Sequence, residues 1–193
     1  SVAPLPYARV HTEVEQLNEK LEDKVRVRTQ QLTESLDEVQ KLKIQQDGDY
    51  FLTSLLIQPL TGNFVKSQNV SVDMLLRQKK QFQFRHWQAE IGGDLCIAQS
   101  ISLRRRTYTV FVNGDAMGKS IQGAGGALVL GTVFKSMVSR TQLAEAAHNK
   151  APEQWLKECF VELQNVFVSF DGSMMVSAVF GLVDEESGML YYI

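Results

Sequence analysis

The residues that could do chemistry gather in two acidic turns, Gly92-Gly93-Asp94 and Asn113-Gly114-Asp115-Ala116-Met117-Gly118-Lys119-Ser120. The second turn looks at first like a phosphate-binding P-loop. That loop needs four residues between its first glycine and Gly-Lys-Ser, so that its amides can wrap a phosphate. Here Gly114 leaves only Asp115 to Met117 in between, and Asn113 stands where the glycine is required. The loop is one residue too tight for a nucleotide. Asp115 carries a different chemistry. It follows a strand-like run and precedes a helical pattern in which Gly123, Gly125 and Gly126 permit close packing. Asp94 holds a similar place after two glycines, whose missing side chains leave room beside it. Two carboxylates from neighbouring strands are what a hard divalent cation needs, with water completing its shell. A plainer reading is that both aspartates cap turns, as Asp often does. Spacing leaves both open.

The elements that would position these turns follow from periodicity. Phe82, Phe84 and the run Ala89 to Ile101 have strand character, interrupted at Gly92-Gly93-Asp94, and Tyr108 to Val112 is a second compact strand. From Ser120 to about Asn149 the pattern is helical, with Ala127, Leu128, Leu130, Val133, Phe134, Met137 and Val138 on its apolar side. Pro152 opens a further helix, as an N1 residue does, running to about Phe167. Met174 to Val183 reads as an apolar strand, Asp184-Glu185-Glu186-Ser187-Gly188 as a hairpin turn, and Met189 to Ile193 as the returning strand. Thr61 to Gln68 is polar and reads as a loop. Strands, two helices and a hairpin predict an α+β fold, an antiparallel β-sandwich flanked by helices.

Ahead of this domain, residues 8 to 46 carry a heptad pattern. Val10, Val14, Leu17 and Leu21 are spaced by four, three and four, and the seam resumes at Leu32, Leu36 and Val39. The intervening positions are thoroughly polar. That spacing predicts a dimerising coiled coil, about 45 Å long from Val10 to Val39 at 1.5 Å per residue. Between Leu21 and Leu32 the seam passes Val25 and Thr29 in two steps of four, a stutter that locally unwinds a supercoil. Asp47-Gly48-Asp49 is expected to break the rod, and Tyr50 to Ile57 to supply one more helical segment ending near Pro59. The division expected is a coiled-coil signalling helix over 8–46 and a domain over 47–193.

Composition removes several classes of function. A net charge of −2 over 193 residues argues against a general nucleic-acid binder. The dense basic cluster Arg104-Arg105-Arg106 lies between strand-like runs and reads as a solvated hairpin turn. Cys96 and Cys159 sit in apolar runs without partner spacing, as reduced core residues of an intracellular protein do. His11, His86 and His148 show no metal-ligand spacing. The small and apolar run from Gly123 to Phe134 is too short to span a bilayer, and the N-terminus lacks the regions of a signal peptide. The expected location is cytoplasmic. Ser1 in place of Met leaves room for a membrane or sensor segment upstream.

Ile91-Gly92-Gly93-Asp94, then Val112-Asn113-Gly114-Asp115-Ala116-Met117-Gly118, then Gly126-Ala127-Leu128 opening a helix, resemble the metal-dependent serine/threonine protein phosphatase (PPM) family, in its bacterial SpoIIE-like branch. Met175 to Tyr192 resembles the next strand pair of that branch, and the resemblance runs from about Gln45 to Ile193. It implies that Asp94 and Asp115 are metal ligands, joined by the backbone carbonyl of Ala116. It also implies two Mn2+ or Mg2+ ions in the complete domain, and a metal-activated water that attacks phosphoserine or phosphothreonine in line. The implied substrate is a phosphorylated regulatory protein. The chain departs from the family at Lys119-Ser120, where His-Gly is usual. Lys119 can hold a substrate phosphate as a point charge but cannot serve as a neutral imidazole. The family's remaining acidic ligands follow the hairpin, so these residues are expected to supply half of a dinuclear site. The alternative is a non-catalytic signalling or dimerisation module on a degenerate phosphatase fold.

Overall fold

The computed structural model describes residues 6–144 and 149–193, with side chains from residue 9 onward. His148 and the expected helical stretch through 145–148 lie outside the described residues. The chain divides into two units, Ser1–Gln46 and Asp47–Ile193.

Helix α1 spans Pro6–Ile57. In the first unit Val10, Val14, Leu17, Leu21, Val25, Leu32, Leu36 and Val39 are all exposed. The break expected at Asp47-Gly48-Asp49 does not occur: these residues are helical. A lone helical glycine costs about 1 kcal/mol relative to Ala, and packing offsets it here. A Cβ on Gly48 would already touch the Phe84 ring at 3.4 Å, so the glycine lets the helix lie close on that ring. The helix stops where Pro59 would lose its amide bond, passing into a 3-10 turn at Gln58–Leu60.

The second unit is α+β. Its main sheet has five strands in the order β1-β4-β5-β6-β7. These are β1 Gly62–Phe64, β4 Asp94–Leu103, β5 Arg106–Ala116, β6 Val176–Asp184 and β7 Leu190–Tyr192. The remaining pair, β2 Lys80–Phe84 and β3 Trp87–Ile91, forms a separate two-stranded ribbon. The expected antiparallel arrangement is corrected at β1, which joins β4 in parallel. In sequence, residues 62–64 read as loop because three residues with a glycine are too few for alternation to show. Among the described residues, only the ribbon accompanies the main sheet as a second sheet.

Two helices, α2 Ile121–Leu143 and α3 Pro152–Val168, close the core against one face of the main sheet. Leu95, Ile97, Val110, Val112, Phe180 and Leu182 meet Leu130, Phe134 and Val138 there, all buried. Helix α2 is long and apolar enough to cross a membrane by length and composition, but its apolarity is that of a core helix. A smaller cluster of Tyr50, Phe82, Ile91 and Ala124 joins the last turns of α1 to the ribbon and to the start of α2. The hairpin between β4 and β5 turns on Arg104 and Arg105, both left-handed with φ 49° and 63°, as a two-residue hairpin loop of the primed type requires. Arg106 is exposed like them but also ion-paired. It bonds the buried Asp184 at 2.6 Å.

Candidate metal centre

Asp94 opens β4 and Asp115 stands next to last in β5, and the two are direct partners across the antiparallel ladder. Their neighbours Leu95, Gly114 and Ala116 are buried on the helix side. Alternation therefore projects both carboxylates from the opposite face of the sheet. Side chains paired this way have Cβ atoms roughly 4.5–5.5 Å apart, and like charges there are destabilising unless something neutralises them. Burial first, and then the charge of Asp115, raise the pKa of Asp94 above its ordinary value. Ser177 on β6 is the next residue across, opposite Asp115.

The backbone round this pair is packed to the limit. Ala116 N donates to Gly93 O at 2.9 Å. A Cβ on Gly93 would lie 2.1 Å from the Ala116 carbonyl oxygen, so only glycine permits this approach. Ala116 O thus faces the backbone of the turn that leads into Asp94. Gly118, at φ 124°, would place a Cβ 2.7 Å from Gln122 Cβ. A Cβ on Gly126 would lie 2.5 Å from Ala116 Cβ. Of the three helix glycines expected to allow close packing, Gly123 and Gly126 do so. Gly125 does not: its open direction meets Met174 at an ordinary 3.6 Å. Ser120 precedes α2 with φ 49° and ψ −104°, and its side chain caps nothing. Such a conformation costs on the order of 1–3 kcal/mol and persists only where the surroundings impose it.

These turns floor a cleft of about 560 Å³ lined by Gln78, Lys79, Lys80, Gly92, Gly93, Asp94, Asp115, Ala116, Lys119 and Ser120, among others. The structure thus brings Asp94, Asp115, Ala116 and Lys119 together. It adds Gln78, Lys79 and Lys80, which no motif or spacing points to. Gln78 Nε2 donates to Asp94 O at 2.7 Å, and Gln78 N donates to Glu90 Oε2 at 2.8 Å. A Cβ on Gly92 would strike the Gln78 side-chain oxygen at 2.1 Å, so that glycine is what admits the glutamine. Cys96 lies one pair further along the same sheet face, opposite Asn113. Burial, and then Asp94, push its thiol pKa up.

Two carboxylates and a backbone carbonyl fit one hard divalent cation that retains several waters. They do not make a second complete site. Among the described residues there is no group of three or more His, Cys, Asp or Glu side chains that could hold a metal.

Comparison with curated proteins gives no match. Residues 105–193, which include Asp115, Ala116 and Lys119 and begin after Asp94, match the family described as Stage II sporulation protein E (SpoIIE).

Proposed function

We propose that residues 47–193 form a metal-dependent serine/threonine phosphoprotein phosphatase domain. The observation that carries this reading is the cross-strand pairing of Asp94 and Asp115 in the floor of a cleft. Repelling carboxylates held on two rigid strands are a preformed cation site. The match of residues 105–193 supports the same reading. A bound Mn2+ or Mg2+ supplies an activated water and charge for the phosphoryl oxygens. Asp94 and Asp115 would hold the ion by their carboxylates and Ala116 by its carbonyl. Lys119, exposed on the rim, takes a phosphate oxygen as a point charge. The substrate is a phosphorylated regulatory protein. Residues 8–46 dimerise as a coiled coil and carry a regulatory signal to the domain, in the cytoplasm.

The test is Mn2+-dependent phosphate release from a phosphoserine peptide. Asp115→Asn is expected to lower the rate by about 100-fold or more, since even groups that only support metal ligands are worth 10- to 100-fold. Full activity in that variant would remove Asp115 from the site. A second reading, a non-catalytic signalling module, is favoured by Lys119-Ser120 at the family's His-Gly position and by the two-carboxylate donor set. Absence of any metal-dependent release by the unmodified protein would decide for it.

A further inference from the structure

The cleft has an acidic floor and a basic rim, and the rim draws on two parts of the chain. Lys79 and Lys80 enter from the start of β2, and Lys119 from the turn before α2. Among the described residues none of these three lysines takes part in an ion pair. Lys80 rests its ammonium 5.9 Å from the centre of the buried Tyr50 ring, which leaves its charge uncompensated by any carboxylate. The lysine pair is also tethered to the acidic floor. Gln78, the residue before it, donates its side-chain amide to the backbone oxygen of Asp94 at 2.7 Å. Its own backbone amide is held by Glu90 on β3. The segment carrying Lys79 and Lys80 is therefore fixed on the same turn that carries Asp94.

We infer that Lys79 and Lys80 join Lys119 in recognising phosphate in this cleft, holding the phosphoryl group of a phosphoserine or phosphothreonine substrate opposite Asp94 and Asp115. A phosphomonoester carries about −1.5 to −2 charge at pH 7 and offers three strong acceptor oxygens. Ammonium groups anchored at one edge can bind those oxygens without a metal. The assignment rests on the phosphatase reading for its substrate class, but it makes a claim that reading does not. Affinity for a phosphorylated ligand should persist in EDTA and should depend on the lysine pair.

The experiment is anisotropy of a fluorescent phosphoserine peptide in EDTA, using Asp115→Asn as parent so that one repelling carboxylate is gone. This parent is expected to bind the phosphopeptide and not its unphosphorylated counterpart. Adding Lys79→Gln and Lys80→Gln is expected to weaken binding by about tenfold or more, as loss of charge-assisted hydrogen bonds does. Adding Lys79→Arg and Lys80→Arg instead is expected to retain it, which separates charge from damage to the fold. Three outcomes overturn the assignment: no binding by the parent, unchanged affinity in the glutamine variant, or equal binding of the unphosphorylated peptide. Turnover is scored separately. Lysine-dependent binding with no Mn2+-dependent hydrolysis leaves a phosphopeptide-binding cleft and removes the phosphatase; hydrolysis with lysine-independent binding does the reverse.

Discussion

Gly93 and Gly125 look alike in the sequence, and the structure separates them. A Cβ on Gly93 would meet the Ala116 carbonyl at 2.1 Å, whereas one on Gly125 would meet the end of Met174 at 3.6 Å. Gly93→Ala must push one backbone segment off another. It is expected to cost about 1–3 kcal/mol and to weaken Mn2+ affinity, because Ala116 and Asp94 move with it. Gly125→Ala, in a helix interior, is expected to stabilise by about 0.5–1 kcal/mol. Urea titration of both variants checks the signs. Asp184 offers a second residue-scale test, on the side of the sheet away from the cleft. Burial raises its pKa, but the amides of Glu186 and Ser187 and the Arg106 ion pair outweigh that, and the net shift is downward from 3.8. A lowered carboxylate contributes stability above its unfolded value and loses it as pH falls through the folded one. Asp184→Asn is therefore expected to melt earlier than the parent at neutral pH, with the gap narrowing below pH 3.8. A gap that widened in acid would reverse the assignment. Asp94 and Asp115 were legible in the sequence because glycine-rich turns after strands flag a constrained carboxylate. Gln78, Lys79 and Lys80 were not, because their relation to Asp94 exists only through a hydrogen bond across the fold.

At the scale of elements, signals that depend on neighbouring residues transferred well. Pro152 marks the first turn of α3, and Asp184 to Gly188 turns β6 into β7. The strand break at Gly92-Gly93 falls between β3 and β4. What failed depended on contacts the sequence does not print. Gly48 does not end α1, since the Phe84 ring fills the space beside it. Gly62–Phe64 becomes a strand only because β4 offers it an edge in parallel. Helix α2 ends at Leu143, short of the expected Asn149. Its N-terminal end was easier to place than its purpose. Gly123 and Gly126 bring α2 onto the Gly93 and Ala116 turns, so the element that builds the core also fixes the spacing of the proposed metal donors. Strain at Ser120 belongs to the same junction, and it marks where the helix start is dictated by the cleft rather than by a capping side chain.

For the whole molecule, the two units divide the work differently. The domain unit has its own core of buried residues from β4, β5, β6, α2 and α3, so its fold does not depend on the apolar seam of residues 8–46. That seam is left uncovered: Leu17, Leu21, Leu32 and Leu36 are 66%, 60%, 62% and 59% exposed. Isolated helices in water are marginal, and most helical stability comes from burying an apolar face. We propose that a second copy supplies that face at heptad spacing, in a parallel dimer. Sedimentation should therefore show a dimer at micromolar concentration, and a monomer at high micromolar concentration would refute it. Leu32→Lys with Leu36→Lys is expected to yield monomers whose α1 loses helicity over residues 9–46, while the domain keeps its near-ultraviolet circular dichroism. The stutter between Leu21 and Leu32 adds a finer expectation. If it is a two-register element that biases the cleft, removing four residues at Thr29 changes phosphate release while leaving the dimer intact. If the seam only dimerises, the deletion changes neither. The double lysine variant abolishes the dimer and the deletion spares it, so comparing phosphate release by the two separates dimerisation from signalling.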